Sequence, residues 1–306
     1  MLKLLQNEFV KIFKKKSIFV IFVIFVIMIF FVVATNIIYK YKINELGEFN
    51  NNKYNYLKIA EYEYENSNDD KVKSLSKFVL DTKYNINRKN DLRGILLNLF
   101  VEYDIFIILI SVLIPGVIIS EEFHNGTIKQ LLITPNSRFK IMLSKLLTCF
   151  LMIVSTIFIL VILQLFIGSL FFPISGLSVP VAIYNYHTSS VVTYNIFSYL
   201  LILILNKMPM FIIMSIIILF INTISLNSAV SVLIGLLLYV LSPILNALSK
   251  NIKIFNLFVT PHWDLSIYMF NNLNGLSVSI IIDVIYVVVL IFITFYVFMR
   301  KDIKNV

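Results

Sequence analysis

The chain has 306 residues, 59% of them hydrophobic and only 14% charged, with a mean hydropathy of +0.88. Soluble domains run at about 45–50% apolar and about 25% charged, so this composition excludes an ordinary soluble enzyme and indicates a polytopic membrane protein. The formal charge of +9 reads as membrane topology rather than as a nucleic-acid footprint, and the single cysteine, Cys149, excludes an intramolecular disulfide and argues against a thiolate metal site.

Residues 1–16 open the chain with an amphipathic pattern. Leu2, Leu5, Phe9, Ile12 and Phe13 fall within about 100° of one another on a helical wheel, which predicts a helix lying along lipid headgroups with its lysines toward anionic lipid. The first predicted span is 17–39, uncharged from Ile18 to Ile38. About 20 apolar residues at 1.5 Å rise cross a hydrocarbon core, and no cleavage site follows, so this is a retained span and not a signal peptide. Residues 40–98 form an outer loop with 11 basic and 9 acidic residues. Within it Val72, Leu75, Phe78 and Val79 recur at helical spacing behind the possible caps Asn68 and Asp69.

Further spans are predicted at 102–120, 141–172, 208–222, 229–248 and 276–299. In the fourth apolar stretch, Asn206, Lys207 and Pro209 interrupt the pattern. The expectation is a short interfacial helix over Ile196–Asn206, a span starting near Met208, and Lys207 snorkelling at its flank. The fold class is thus all-α integral membrane, with six transmembrane helices, an interfacial N-terminal helix and a partly helical outer loop. Basic residues cluster before the first span (Lys3, Lys11, Lys14, Lys15, Lys16), after the second (Lys129, Arg138, Lys140, Lys145) and after the sixth (Arg300, Lys301, Lys304). That distribution places both termini in the cytoplasm and the protein in a plasma membrane.

No catalytic set emerges. The G-x-x-x-x-G-K-[ST] phosphate loop is missing, the histidines His124, His187 and His262 are scattered, and no G-x-S-x-G elbow presents a serine. No catalytic, cofactor or metal residue is assigned. Ionisable residues within spans are candidates for function. Asp283, near the outer end of the sixth span, is a candidate for the transport path, whereas Glu102 and Asp104 read as interfacial.

The informative stretch is the loop Ile119–Leu147 after the second span. Gly126 suits a left-handed position that ends one helix. Thr127 with Gln130 forms a capping-box pattern for a new helix from Ile128, and Pro135 ends that helix near Ile133. Ser137 then caps the third span. The product is a short cytoplasmic helix over the 121–140 loop, offering Ile128, Leu131 and Leu132 to a partner.

This loop resembles that of the permease subunits of type-2 ABC transporters, the class that includes bacitracin, lantibiotic-immunity and sodium-export systems. The resemblance rests on Glu121, Glu122, Gly126, Thr127, Leu131, Leu132, Pro135 and Arg138 ahead of the third span, and on the layout of the whole chain. It implies a coupling helix that docks on a separate ABC ATPase subunit, which would hold ATP and Mg. It also implies a second permease copy or similar permease, and a bacterial exporter of a peptide antibiotic, small amphiphile or ion. Arg138 and the Glu121–Glu122 pair would anchor the ends of the loop. Two other classes stay open: a membrane-anchored sensory or scaffolding protein with an external recognition loop, and an ion-coupled secondary carrier.

Overall fold

A computed structural model of the chain describes residues 1–14, 26–35, 92–97, 99–133, 135–172, 181–185, 190–270 and 275–301, with a few isolated positions besides. The helices are α1 (Leu2–Phe13), α2 (Val26–Thr35), α3 (Leu92–Leu97), α4 (Leu99–Ile118), α5 (Ser120–His124), α6 (Thr127–Ile133) and α7 (Arg138–Phe171). A hairpin of β1 (Val181–Asn185) and β2 (Ser190–Tyr194) follows, then α8 (Ile196–Ser225), α9 (Ser228–Asn251), a 3-10 turn (Lys253–Leu257), α10 (Ser266–Phe270) and α11 (Leu276–Arg300).

Five described helical stretches are long and apolar enough to cross a membrane: Tyr103–His124, Arg138–Phe171, Ile196–Ser225, Ser228–Ser249 and Leu276–Arg300. The protein is a mainly helical membrane protein. Most of the predicted first span lies outside the described residues, its Val26–Thr35 segment being a shorter apolar helix. The predicted Val72–Val79 helix lies outside them as well.

Burial orders the bundle. Two-thirds (67%) of the apolar window of Tyr103–His124 is buried, against 17% for α9 and 11% for α11. The α4 helix is therefore central, and α9 and α11 present apolar side chains outward, as helices do where hydrocarbon replaces water. A long core runs through Ile107, Val112, Leu160, Phe211, Met214 and Ile218. A second cluster at one end gathers Ile12, Ile119, Phe123, Ile128, Ile141 and Phe298. Small residues let the central helices approach. A Cβ on Gly235 of α9 would lie 2.5 Å from Ile218 Cδ1 and 2.8 Å from Val112 Cγ1, and one on Gly116 of α4 would lie 2.7 Å from Val232 Cγ2.

Local chemistry sets the helix ends. Ser137 accepts from the Lys140 amide at 3.4 Å and starts α7, as the sequence predicts. Asn195 caps α8 through the Phe197 amide, and Asn227 caps α9 through the Ala229 and Val230 amides. Two expectations are corrected. The fourth apolar stretch does not divide near residue 207: α8 is one helix of 30 residues with Pro209 inside it. Pro209 removes a single amide donor, and the buried Met210, Phe211 and Met214 that follow hold the helix in register. The fold is also not wholly α-helical, because the antiparallel hairpin pairs Val181 with Tyr194 through Asn185 with Ser190 just ahead of α8.

Candidate functional site

One end of the bundle is bound together by charge. There α1, the short helices α5 and α6, the start of α7 and the end of α11 meet. Glu122 sits on α5, a single turn set off from α4 by the break at Ile119. Its Oε1 accepts from Lys11 Nζ of α1 at 2.7 Å, and its Oε2 lies 2.7 Å from Lys145 Nζ of α7. Glu8 of α1 completes the cluster. Lys145 donates to both of its carboxylate oxygens at 3.3 Å, and Lys11 reaches it at 3.3 Å.

Lys145 is wholly buried, at 0% exposure, and it also donates to the Ile118 carbonyl at 3.3 Å. A lysine is tolerated at such depth only when paired. Two lysines against two glutamates make the cluster neutral, with Glu8, Glu122 and Lys145 buried and the Lys11 side chain 43% exposed at its edge. Burial on its own would lower the Lys11 pKa, but the Glu122 and Glu8 carboxylates outweigh it and hold that pKa above its ordinary 10.5.

The loop after α5 is short and fixed. Gly126 has φ +66°, the left-handed conformation expected of it, and its amide donates to the Phe123 carbonyl at 3.2 Å. The helix α6 begins at Thr127 rather than Ile128, and the predicted capping box does not form. The Thr127 hydroxyl donates back to the Glu122 carbonyl at 3.4 Å, and the Gly126 carbonyl takes the Lys129 amide. Pro135 lies just beyond the helix, as its geometry requires.

One expected role changes. Ile128 is not available to a partner: it is fully buried, packed in the cluster that includes Ile12 and Ile119, and it seats α6 on the bundle. The exposed apolar side chain of α6 is Ile133, at 83%, while the side chains of Leu131 and Leu132 lie outside the described residues. Arg138 finds its partners at the end of α11. It donates to the Met299 and Lys301 carbonyls at 2.9 and 3.0 Å, where a guanidinium meets the negative end of α11. Lys301 in turn donates to the Thr223 and Ile224 carbonyls at the end of α8. Between α1 and the α5–α6 turn lies a cleft of about 500 Å³, lined among others by Glu8, Lys11, Glu121, Glu122, Asn125 and Gln130.

A second ionic group lies toward the opposite end. Lys207 of α8 donates to Asp104 of α4 and to Asp264, both at 2.8 Å, and Asp264 also accepts from the Ser266 amide and hydroxyl. Lys207 is thus not a snorkelling flank residue, nor is Asp104 free at a water interface: each satisfies the other within the bundle. The side chain of Glu102 lies outside the described residues. Asp283 of α11 is buried at 5% exposure, and neither carboxylate oxygen has a hydrogen-bond partner among the described residues.

The comparisons can be set against this geometry. Residues 58–304 match the family described as a protein of unknown function, DUF2705. The chain belongs to the DUF2705 family. The chain is also 25% identical over 202 residues to the uncharacterized protein YhcI of Bacillus subtilis (strain 168). That match spans 64% of each chain. No solved structure matches. The family region holds the five described spans, Glu122, Lys145 and the ionic group of the opposite end, and it begins after Glu8 and Lys11.

Sequence reasoning missed Glu8 altogether and read Lys145 only as a topological charge. A signal was available: Glu8, Ile12 and Leu5 lie at helical spacing, so an acid sits on the face expected to be apolar. Lys145 likewise interrupts an apolar run inside the third span.

Proposed function

We propose that the chain is the membrane permease of an ATP-driven exporter, with α6 as the coupling helix for a separate ATPase subunit. The observation that carries the reading is the Glu8–Lys11–Glu122–Lys145 cluster. It fastens the α5–α6 turn to α1 and α7, so a push on α6 from outside the chain reaches the headgroup helix α1 and the transmembrane helix α7. Ile128 seats the helix, and Ile133 leaves an apolar contact for a partner. With no phosphate loop in the sequence, ATP and Mg would be held by that partner, and this chain would not be an enzyme.

In this reading the charged end faces the cytoplasm, in keeping with the basic flanks. A sixth span over 17–39 brings the chain from α1 to the far end, and α1 lies in the headgroup layer with Leu2, Val10 and Phe13 turned outward. The permease works with a second copy or a similar chain and exports a peptide antibiotic, small amphiphile or ion across a bacterial plasma membrane. Co-expression with the ATPase of a neighbouring reading frame tests it. The complex should hydrolyse ATP and the lone chain should not. Transport by the lone chain in liposomes under an ion gradient would favour a secondary carrier and overturn the reading.

A further inference from the structure

The far end of α11 carries a polar group that the coupling reading does not use. His262 Nε2 lies 2.8 Å from the Asn256 carbonyl, and Nδ1 lies 2.8 Å from Ser279 Oγ. A carbonyl oxygen only accepts, so Nε2 carries the hydrogen and Nδ1 of the neutral ring is the acceptor. Ser279 therefore donates to His262, and Tyr268, whose hydroxyl is 2.5 Å from Ser279 Oγ, donates to Ser279. The hydrogen-bond chain thus has one direction, Tyr268 to Ser279 to His262, and it consumes the serine proton.

Asp283 is four residues on from Ser279, one helical turn deeper on the same buried face. Both its oxygens lack hydrogen-bond partners among the described residues. The other titratable groups on the elements around α11 are committed or remote along the chain. Lys207 of α8 holds Asp104 and Asp264. Tyr199 lies in the first turn of α8, and Tyr286 of α11 donates to the Leu257 carbonyl. The ionisable groups of α7, Arg138, Lys140, Lys145 and Cys149, all lie in its half nearer the charged end. An unpaired carboxylate at this depth would cost far more than a neutral acid. A metal cation is a poor fit, since hard cations demand about six oxygen ligands and no group of three or more His, Cys, Asp or Glu gathers among the described residues.

We propose that Asp283 is a proton-binding site, neutral at rest and set one turn below a serine whose own proton is committed to His262. The site stands apart from the coupling reading and survives its failure. The test uses the purified full chain in lipid nanodiscs near neutral pH. Infrared difference spectra should show a protonated carboxylic acid band that is lost in Asp283→Asn, and a hydrophobic carbodiimide should modify Asp283 of the unmutated chain, read by peptide mass. Ser279→Ala should keep the band. The proposal is overturned if the spectra of the two chains coincide in that region and the carbodiimide leaves Asp283 unmodified. Loss of the band on adding sodium at constant pH would also overturn it, making the site one for a metal cation.

Discussion

Lys145 Nζ stands 3.3 Å from both carboxylate oxygens of Glu8, a residue 137 positions earlier in the chain. The pair joins the first helix to the third apolar span with no water at the lysine, and Glu122 closes the group from α5. Breaking such a cluster by removing one member leaves uncompensated charge in a dry site, which costs about 3–5 kcal/mol. Lys145→Met should therefore lower the midpoint of thermal unfolding in detergent by many degrees. Glu8→Gln with Lys145→Met should cost less than the sum of the single changes, and a double-mutant cycle measures the difference. Additive single effects would show that the pair is not coupled.

Lys11 adds a pH dependence. Its pKa in the folded chain is raised above the ordinary 10.5. A raised lysine pKa contributes stability that is fully present below the unfolded value and lost as pH climbs through the folded one. The stability difference between the unmutated chain and Lys11→Met should hold steady from neutral pH to about pH 10 and shrink beyond it. A difference that grows in alkali would contradict the ion pairs.

Local and distant effects were unequally legible. The left-handed Gly126, the Ser137 cap and the stop before Pro135 were all readable, because each depends on residues within one turn. Lys207 and Ile128 were misplaced, and the partners of Arg138 went unread, for one shared reason: the residue that decides each role lies far along the chain. Asp264 is 57 residues from Lys207, and Lys301 is 163 from Arg138. A lysine near a proline reads as a flank until a carboxylate from another helix is known to face it.

Space, not backbone freedom, decides the helix crossing at Gly235. A Cβ there meets Ile218 Cδ1, Val112 Cγ1 and Ile218 Cγ1 at 2.5, 2.8 and 3.0 Å, from two different helices. At Gly168 the close contact is the tip of one side chain, Leu92 Cδ1 at 2.5 Å. Gly235→Ala should destabilise the fold by roughly 1–3 kcal/mol and so lower the unfolding midpoint, and Gly168→Ala should do so by less. The same detergent melts report both, and the reverse order would refute the packing.

At Gly126 the reverse holds, since nothing lies within 4 Å of an added Cβ and only φ +66° opposes it. Gly126→Val should cost about 1–2 kcal/mol and Gly126→Asn much less. Immunoblots of membranes should find both variants inserted, with export reduced only for valine. Normal export by the valine variant at normal abundance would separate this turn from coupling.

The coupling reading requires a partner that touches α6, and Ile133 is the side chain that can be changed without disturbing the fold, being exposed and outside both buried clusters. The most direct measurement is co-purification of the full chain with its ATPase in mild detergent, for the unmutated protein and for Ile133→Asp. The unmutated chain should bring down a phosphate-loop ATPase in stable stoichiometry. Ile133→Asp should lose most of it while keeping its unfolding midpoint. An ATPase retained equally by both, or bound by neither, would contradict coupling through this helix.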